Sequence, residues 1–218
     1  MAADIGAILQ RLLAFFDFSG KSVLAVGAGG GQFAEYARPM RKVLAIDRDL
    51  AAMRQLQEAA MRLGLQDRFE YWTGDFADCE RHGDVVLFEF CLHEMDDPAG
   101  AVAKATALAP EVVVIDHAPG SPWVYFTAED EKVDRSWQAL GRLQVTRKCC
   151  YTAEQRFGNY EELHAKVRTQ GAESIRRIER FREKTNITIP MTYALALIAD
   201  EVGRDAADQG GNPRRERV

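Results

Sequence analysis

Four of the five residues in Gly27-Ala28-Gly29-Gly30-Gly31 are glycine, and they follow directly on the apolar run Val23-Leu24-Ala25-Val26. Without a Cβ to keep a ligand at a distance, the main-chain N–H groups of such a loop can touch a bound molecule, so it reads as a nucleotide loop. If Gln32 to Arg38 begin a helix, its positive end faces the same spot and favours a carboxylate or phosphate there. A second apolar run, Val43-Leu44-Ala45-Ile46, ends in Asp47, 20 residues after Gly27. In a right-handed βαβ unit the ends of adjacent parallel strands lie side by side, so this carboxylate can accept two hydrogen bonds from a ribose diol. That geometry binds an adenosine. A third run, Phe69 to Thr73, leads into Gly74-Asp75-Phe76, which puts another carboxylate and an aromatic face beside the base. Two more apolar runs end in acid and imidazole: Val85 to Phe88 is followed by Glu89-Phe90-Cys91-Leu92-His93-Glu94, and Val112 to Ile115 by Asp116-His117. His93 and His117 could approach each other across a pocket, one as a base and one as a hydrogen-bond donor to a substrate, or each could simply cap a strand or helix end. His82 and His164 lie on polar stretches and read as surface residues.

The elements that must position these groups follow from periodicity. Ile5, Ile8, Leu9, Leu12, Leu13 and Phe16 share one helical face, which predicts an amphipathic helix over residues 3–17. Met53, Leu56, Ala60 and Leu63 repeat that stripe before Gly64, and Asp97-Pro98 opens a helix that Pro110 closes. The runs Val85 to Phe88 and Val112 to Ile115 are too uniformly apolar for a strand with one wet face and suit the centre of a parallel sheet. Alternation of strand and helix through five strands predicts an α/β fold, a doubly wound sheet with helices on both faces. Residues 119–171 are rich in aromatics, with Trp123, Tyr125, Phe126 and Trp137 within 15 residues. Helix starts are expected there at Thr127 and at Thr152, where Thr152-x-x-Gln155 matches a capping box. Between Ser174 and Ile198 two strands joined near Asn186 to Pro190 would form a closing antiparallel hairpin, and residues 201–218 read as a tail without an apolar face.

Composition narrows the classes of function. At 218 residues the chain has room for one full-sized core, which predicts a single domain over residues 1–200. A net charge of −5 argues against a protein that grips nucleic acid through phosphates and favours a small-molecule acceptor as its partner. No apolar run reaches the roughly 18 residues that span a bilayer, and the N-terminus lacks the pattern of a signal peptide, which points to the cytoplasm and leaves a homodimer open. Cys79, Cys91, Cys149 and Cys150 form no C-x-x-C pair, so no metal site is expected from them. Asp116 and Glu89 as paired metal ligands remain an alternative without a supporting pattern.

Together these residues resemble the class I S-adenosylmethionine-dependent methyltransferases, most closely the small-molecule ubiquinone- and menaquinone-type group. The loop from Gly27 to Gly31 is similar to that family's GxGxG motif, Asp47 to its ribose-binding acid and Asp75-Phe76 to its adenine-binding pair. Beyond these, the resemblance implies S-adenosylmethionine as cofactor, held by Gly27, Gly29, Gly31, Asp47, Arg48, Asp75, Phe76 and Glu89, and a mostly parallel Rossmann-like sheet with an antiparallel closing strand. It further implies that residues 119–171 and the N-terminal helix cover an acceptor pocket, with His93 and His117 as catalytic residues acting on a hydroxyl or activated carbon. Ala25 departs from the family, which usually has an acid there to hold the methionine amino end. The elements that mark amino-methylating nucleic-acid enzymes and pyrimidine C5 enzymes are missing. A non-catalytic S-adenosylmethionine-binding scaffold is a second reading. An NAD-dependent oxidoreductase is a third, but its G-x-G-x-x-G/A fingerprint fails at Gln32 when counted from Gly27 and begins two residues late when counted from Gly29.

Overall fold

In the computed structural model, residues 4–199 are described. Seven strands, β1 Ser22–Val26, β2 Lys42–Asp47, β3 Phe69–Thr73, β4 Val85–Glu89, β5 Glu111–His117, β6 Val145–Asn159 and β7 Thr185–Ala199, make one sheet in the order β3-β2-β1-β4-β5-β7-β6. The first five strands are parallel, while β7 runs antiparallel between β5 and β6. Strand order reverses between β1 and β4, the point at which open α/β sheets part their crossovers and bind ligands. Among the described residues seven α-helices surround the sheet: α1 Ile5–Phe15, α2 Leu50–Arg62, α3 Pro98–Leu108, α4 Pro122–Thr127, α5 Asp130–Leu140, α6 Tyr160–Val167 and α7 Ala172–Ile178.

Strand alternation divides the interior into two cores. Val23 and Ala25 of β1, with Val85 and Leu87 of β4, meet Ile8 and Leu12 of α1, Met53 and Leu56 of α2 and Leu163 of α6. Leu24, Val26, Val86 and Phe88 point the other way, onto Val102 and Ala105 of α3 and Val133 and Leu140 of α5. Every residue of β4 is buried, as its unbroken apolar run requires of a strand covered on both sides. Caps set the helix starts: Asp4, Asp49 and Asp97 each accept a backbone N–H in the first turn of α1, α2 and α3. Cys150 lies exposed on β6 and Cys149 half-buried beside it, both as free thiols.

Four expectations are corrected. The stretch after the glycine loop is not an α-helix: only a 3-10 turn, Ala34–Ala37, forms before Pro39. Gly30 and Gly31 both have positive φ, and a proline within two residues leaves no room for a second turn. Thr152 starts no helix, because it lies inside β6, where Tyr151, Ala153, Gln155 and Phe157 face inward while Thr152, Glu154 and Arg156 face water. The period of two overrides the four-residue capping pattern. Nor do two strands join near Asn186: residues Thr185–Ala199 are one strand, and the hairpin partner is β6, reached through α6 and α7. Pro190 is tolerated there since that part of β7 pairs only with β6, and pairing with β5 begins at Tyr193. Thr127 ends α4 rather than starting a helix, and α5 follows at Asp130. The expected tail, residues 201–218, lies outside the described residues.

Candidate active site

At the carboxyl ends of β1, β2 and β4 lies a cavity of about 640 Å³, within the range of small-molecule sites. Gly27 floors it with φ +73°, and a Cβ there would come within 2.5 Å of the Cβ of Cys91 and 2.7 Å of its Sγ. A side chain at Gly29 would fail as well, 2.6 Å from both Asp47 Oδ2 and the Cβ of Ala52. That closeness has a use: the Gly29 N–H donates to Asp47 Oδ2 at 2.9 Å, and the Asp49 N–H donates to Asp47 Oδ1 at 2.9 Å. The Asp47 carboxylate on the cavity wall is therefore pinned through both oxygens by main chain, and each keeps a lone pair for a ligand. Arg48 and Asp75 form the adjoining rim, 3.7 Å apart and both exposed, while Phe76 is buried edge-on against Phe88 and still reaches the cavity.

Glu89, at the end of β4, lines the same cavity. It is only 7% exposed, its Oε1 has no hydrogen-bond partner among the described residues, and neither does the buried hydroxyl of Tyr36. Burial raises the Glu89 pKa to about 8, against the lowering influence of Tyr36, and the nearby negative charge of Asp47 adds to the rise. A buried carboxyl with an idle oxygen costs stability unless a ligand completes it. Strand alternation puts Glu89 on the same sheet face as Ala25 of neighbouring β1, so an acid from β4 stands on the face where the family's β1 acid is missing.

Beyond β4 the chain turns sharply at Phe90, whose φ of +50° is unusual for a side chain of this size, and enters the 3-10 turn Leu92–Glu94. His93 lands inside, 3% exposed, and Asp116 at the end of β5 is fully buried against it. The Asp116 carboxylate accepts the His93 backbone N–H at 3.0 Å and lies 2.6 Å from its Nδ1. On the far side of the ring, Nε2 faces Glu94 Oε1 at 3.6 Å and Glu129 Oε1 at 4.0 Å. Burial alone would lower the His93 pKa, but the hydrogen bond and charge of Asp116, with Glu129 and Glu94 behind, raise it on balance. His117 differs: burial pushes its pKa down to about 4, and its Nδ1 has no partner. Its ring lies 5.0 Å from Phe90, centroid to centroid.

Of the ten residues singled out in the sequence, Gly27, Asp47, Arg48, Asp75, Phe76 and Glu89 line the cavity. Gly29 and Gly31 do not line it and serve instead as contact points, Gly29 against Asp47 and Gly31 against α2. His93 and His117 do come together, with ring centroids 5.3 Å apart, yet neither lines the cavity and the bonded partner of His93 is Asp116. Asp116 and Glu89 do not pair. The aromatics of residues 119–171 are not lining residues either: Trp123 stacks on Phe157 inside the fold, Trp137 donates its indole N–H to the His117 carbonyl, and Tyr125 lies outside beneath Arg177. No residue of α1 reaches the cavity. Sequence reasoning missed Cys91, Lys104 and the start of α3 as walls, and missed Glu129 altogether. The Asp97-Pro98 helix start was a usable signal for α3, whereas nothing local marks Glu129.

Six carboxyl side chains, Asp47, Asp75, Glu89, Glu94, Asp96 and Asp97, line the cavity against two basic ones, Arg48 and Lys104. Such a balance favours a cationic ligand over a polyphosphate. The glycine floor, the pinned Asp47 and the idle Glu89 oxygen suit S-adenosylmethionine, which carries a ribose diol and an ammonium group. In sequence the chain matches no curated protein. Its fold is shared with a Bacillus halodurans protein assigned as a methyltransferase, at 16% identity and a TM-score of 0.63 over 89% of this chain and 97% of that one. The YcgJ protein of Bacillus subtilis is similar at 15% identity and 0.62 over 89% and 99%, and a SAM-dependent methyltransferase of Aquifex aeolicus at 18% and 0.56 over 91% of each. Residues 1–161 match the methyltransferase domain family model. With β7 antiparallel beside β5, a cavity at the β1/β4 switch point and that match over most of its length, the chain belongs to the methyltransferase domain family, an enzyme whose methyl donor is S-adenosylmethionine.

Proposed function

We propose that this enzyme methylates a small organic acceptor, at a hydroxyl or an activated carbon, and that it works in the cytoplasm. What supports a small acceptor is the acidic cavity, in which Glu94, Asp96 and Asp97 crowd the side beyond Glu89 and repel a nucleic-acid backbone. No described helix is long and apolar enough to cross a membrane. Bound S-adenosylmethionine supplies an electrophilic methyl group on a positively charged sulfur. Asp47 would accept the ribose hydroxyls with the lone pairs its backbone bonds leave free, and Glu89 would accept from the ammonium group in place of the acid absent at Ala25. Asp75 and Phe76, which line the same cavity, would hold the base. The glycine contacts leave the main chain bare at Gly27, so the donor can lie directly against it. Because the displacement is in line, the chain's remaining task is to hold the acceptor behind the methyl group and exclude water.

His93, engaged by Asp116 and away from the cavity, is poorly placed as the base. His117 is the imidazole left with an unpartnered nitrogen, and its ring abuts Phe90 of the cavity wall. Neither histidine lines the cavity, so His117 would act only on an acceptor hydroxyl that reaches past Phe90, accepting its hydrogen bond and orienting it. Incubation with methyl-labelled S-adenosylmethionine and a protein-free metabolite extract tests the acceptor class. Label is expected in a product of low mass and not in added RNA, DNA or protein; transfer to a macromolecule alone would overturn the small-acceptor reading.

A further inference from the structure

His93, Glu94 and Glu129 bring together three potential ligand atoms, all within 4.8 Å of one another. Glu94 and Glu129 interact with each other, but neither reaches the free nitrogen of His93. Nε2 of His93 lies 3.6 Å from Glu94 Oε1 and 4.0 Å from Glu129 Oε1, both beyond hydrogen-bond length. Ligand atoms that share an ion at about 2.1 Å stand roughly 3 to 4 Å apart, and both distances from His93 Nε2 fall in that range. Glu129 adds a second, independent observation: it is 4% exposed, and its Oε1 has no hydrogen-bond partner although it is turned into this space. Behind the ring, Asp116 fixes Nδ1 at 2.6 Å and thereby aims Nε2 at the two carboxylates. A carboxylate behind a histidine whose other nitrogen faces open acid oxygens is the outer-shell arrangement of metal-binding histidines. Lys132 holds Glu94 through Oε2 at 2.8 Å and so leaves Oε1 turned to His93.

We propose that His93 Nε2, Glu94 Oε1 and Glu129 Oε1 bind one divalent first-row transition-metal ion, with Asp116 as the residue that orients His93. One imidazole with two carboxylates and no thiolate suits Mn²⁺, Fe²⁺ or Zn²⁺ rather than a soft ion, and three protein ligands leave positions open. Glu94 is the ligand that also lines the cavity, so the ion would stand at its acceptor end. The site is defined without reference to methyl transfer.

The full chain, stripped with chelator and desalted, would be titrated with Mn²⁺ by electron paramagnetic resonance and with Zn²⁺ by equilibrium dialysis. Mn²⁺ is the deciding probe because it avoids the thiols of Cys149 and Cys150. The expected result is one Mn²⁺ per chain, an unfolding midpoint raised by the ion, and at least tenfold weaker binding in Glu129→Gln and in Glu94→Gln. Asp116→Asn should weaken binding by about 10- to 100-fold, the usual cost of losing an outer-shell partner. Should Glu129→Gln fail to fold, the half-exposed Glu94 makes Glu94→Gln the deciding variant. Absence of saturable Mn²⁺ binding up to millimolar concentration, or undiminished binding in Glu94→Gln, would overturn the proposal.

Discussion

The carboxylates at the two ends of the cavity are held by different means. At the β1–β2 end, Asp47 is fixed by the N–H groups of Gly29 and Asp49, so the main chain itself sets its position. At the β4–β5 end, Asp116 holds His93 by hydrogen bonds while Glu94 and Glu129 face the other side of its ring at 3.6 and 4.0 Å, side chains drawn from three separate segments. The N–H groups that pin Asp47 are exposed or half-buried and can turn to water when it is lost, whereas each member of a buried side-chain network leaves another uncompensated when it is removed. The first end is thus built for binding with little structural consequence, and the second couples stability to chemistry.

That contrast is open to attack by mutation. The largest effect is expected at Asp116→Ala, which strips two hydrogen bonds from the buried His93 and should cost about 3–5 kcal/mol, measured by urea unfolding. A loss below about 1 kcal/mol would make the network ornamental. Gly27→Ala comes next, because its Cβ would collide with Cys91 at a φ that disfavours alanine; strain and overpacking together should cost about 2–4 kcal/mol and close the cavity floor. Cys91→Gly in that background should recover part of the loss, since it removes the collision but not the backbone strain.

Glu89 predicts a pH dependence of stability. Its folded pKa, about 8, lies above the ordinary carboxyl value, so between roughly pH 4.5 and 8 the folded chain keeps a proton that the unfolded chain has lost. Stability should therefore fall as pH rises through that window, by a few kcal/mol at most, and Glu89→Gln should flatten the slope in unfolding curves taken at pH 5, 6.5 and 8. The smallest effect is expected at Tyr36→Phe. Its hydroxyl lacks a hydrogen bond of normal geometry but lies beside Glu89 and holds that carboxyl's pKa down, so removing it should change stability by no more than about 1 kcal/mol in either direction.

The same contrast explains what could be read from the residues alone. Gly27 to Asp47 falls within the single short connection between the adjacent parallel strands β1 and β2, where spacing along the chain dictates proximity, and the parallel core followed from the apolar runs of β4 and β5. Asp116 and His93 were visible as strand-end groups. Their hydrogen bond was not, because the Phe90 turn that swings His93 away from the cavity has no signature in residue type. Glu129 arrives from beyond β5 and depends on how α4 and α5 pack. On the closing strands, Thr152-x-x-Gln155 and Pro190 carried local signals that long-range pairing overrode, since β6 and β7, fifteen residues each, pair along nearly their whole length.

Calorimetric titration of S-adenosylmethionine into the parent chain, Asp47→Ala and Glu89→Gln, each checked for unchanged folding, tests most directly that the two carboxylates grip opposite ends of one donor. Saturable binding at one site per chain is expected in the parent, weakened by about 2 kcal/mol, some 30-fold, in Asp47→Ala and by a comparable amount in Glu89→Gln, while NAD gives no heat in any of them. Parent-like affinity in Asp47→Ala or in Glu89→Gln would contradict it.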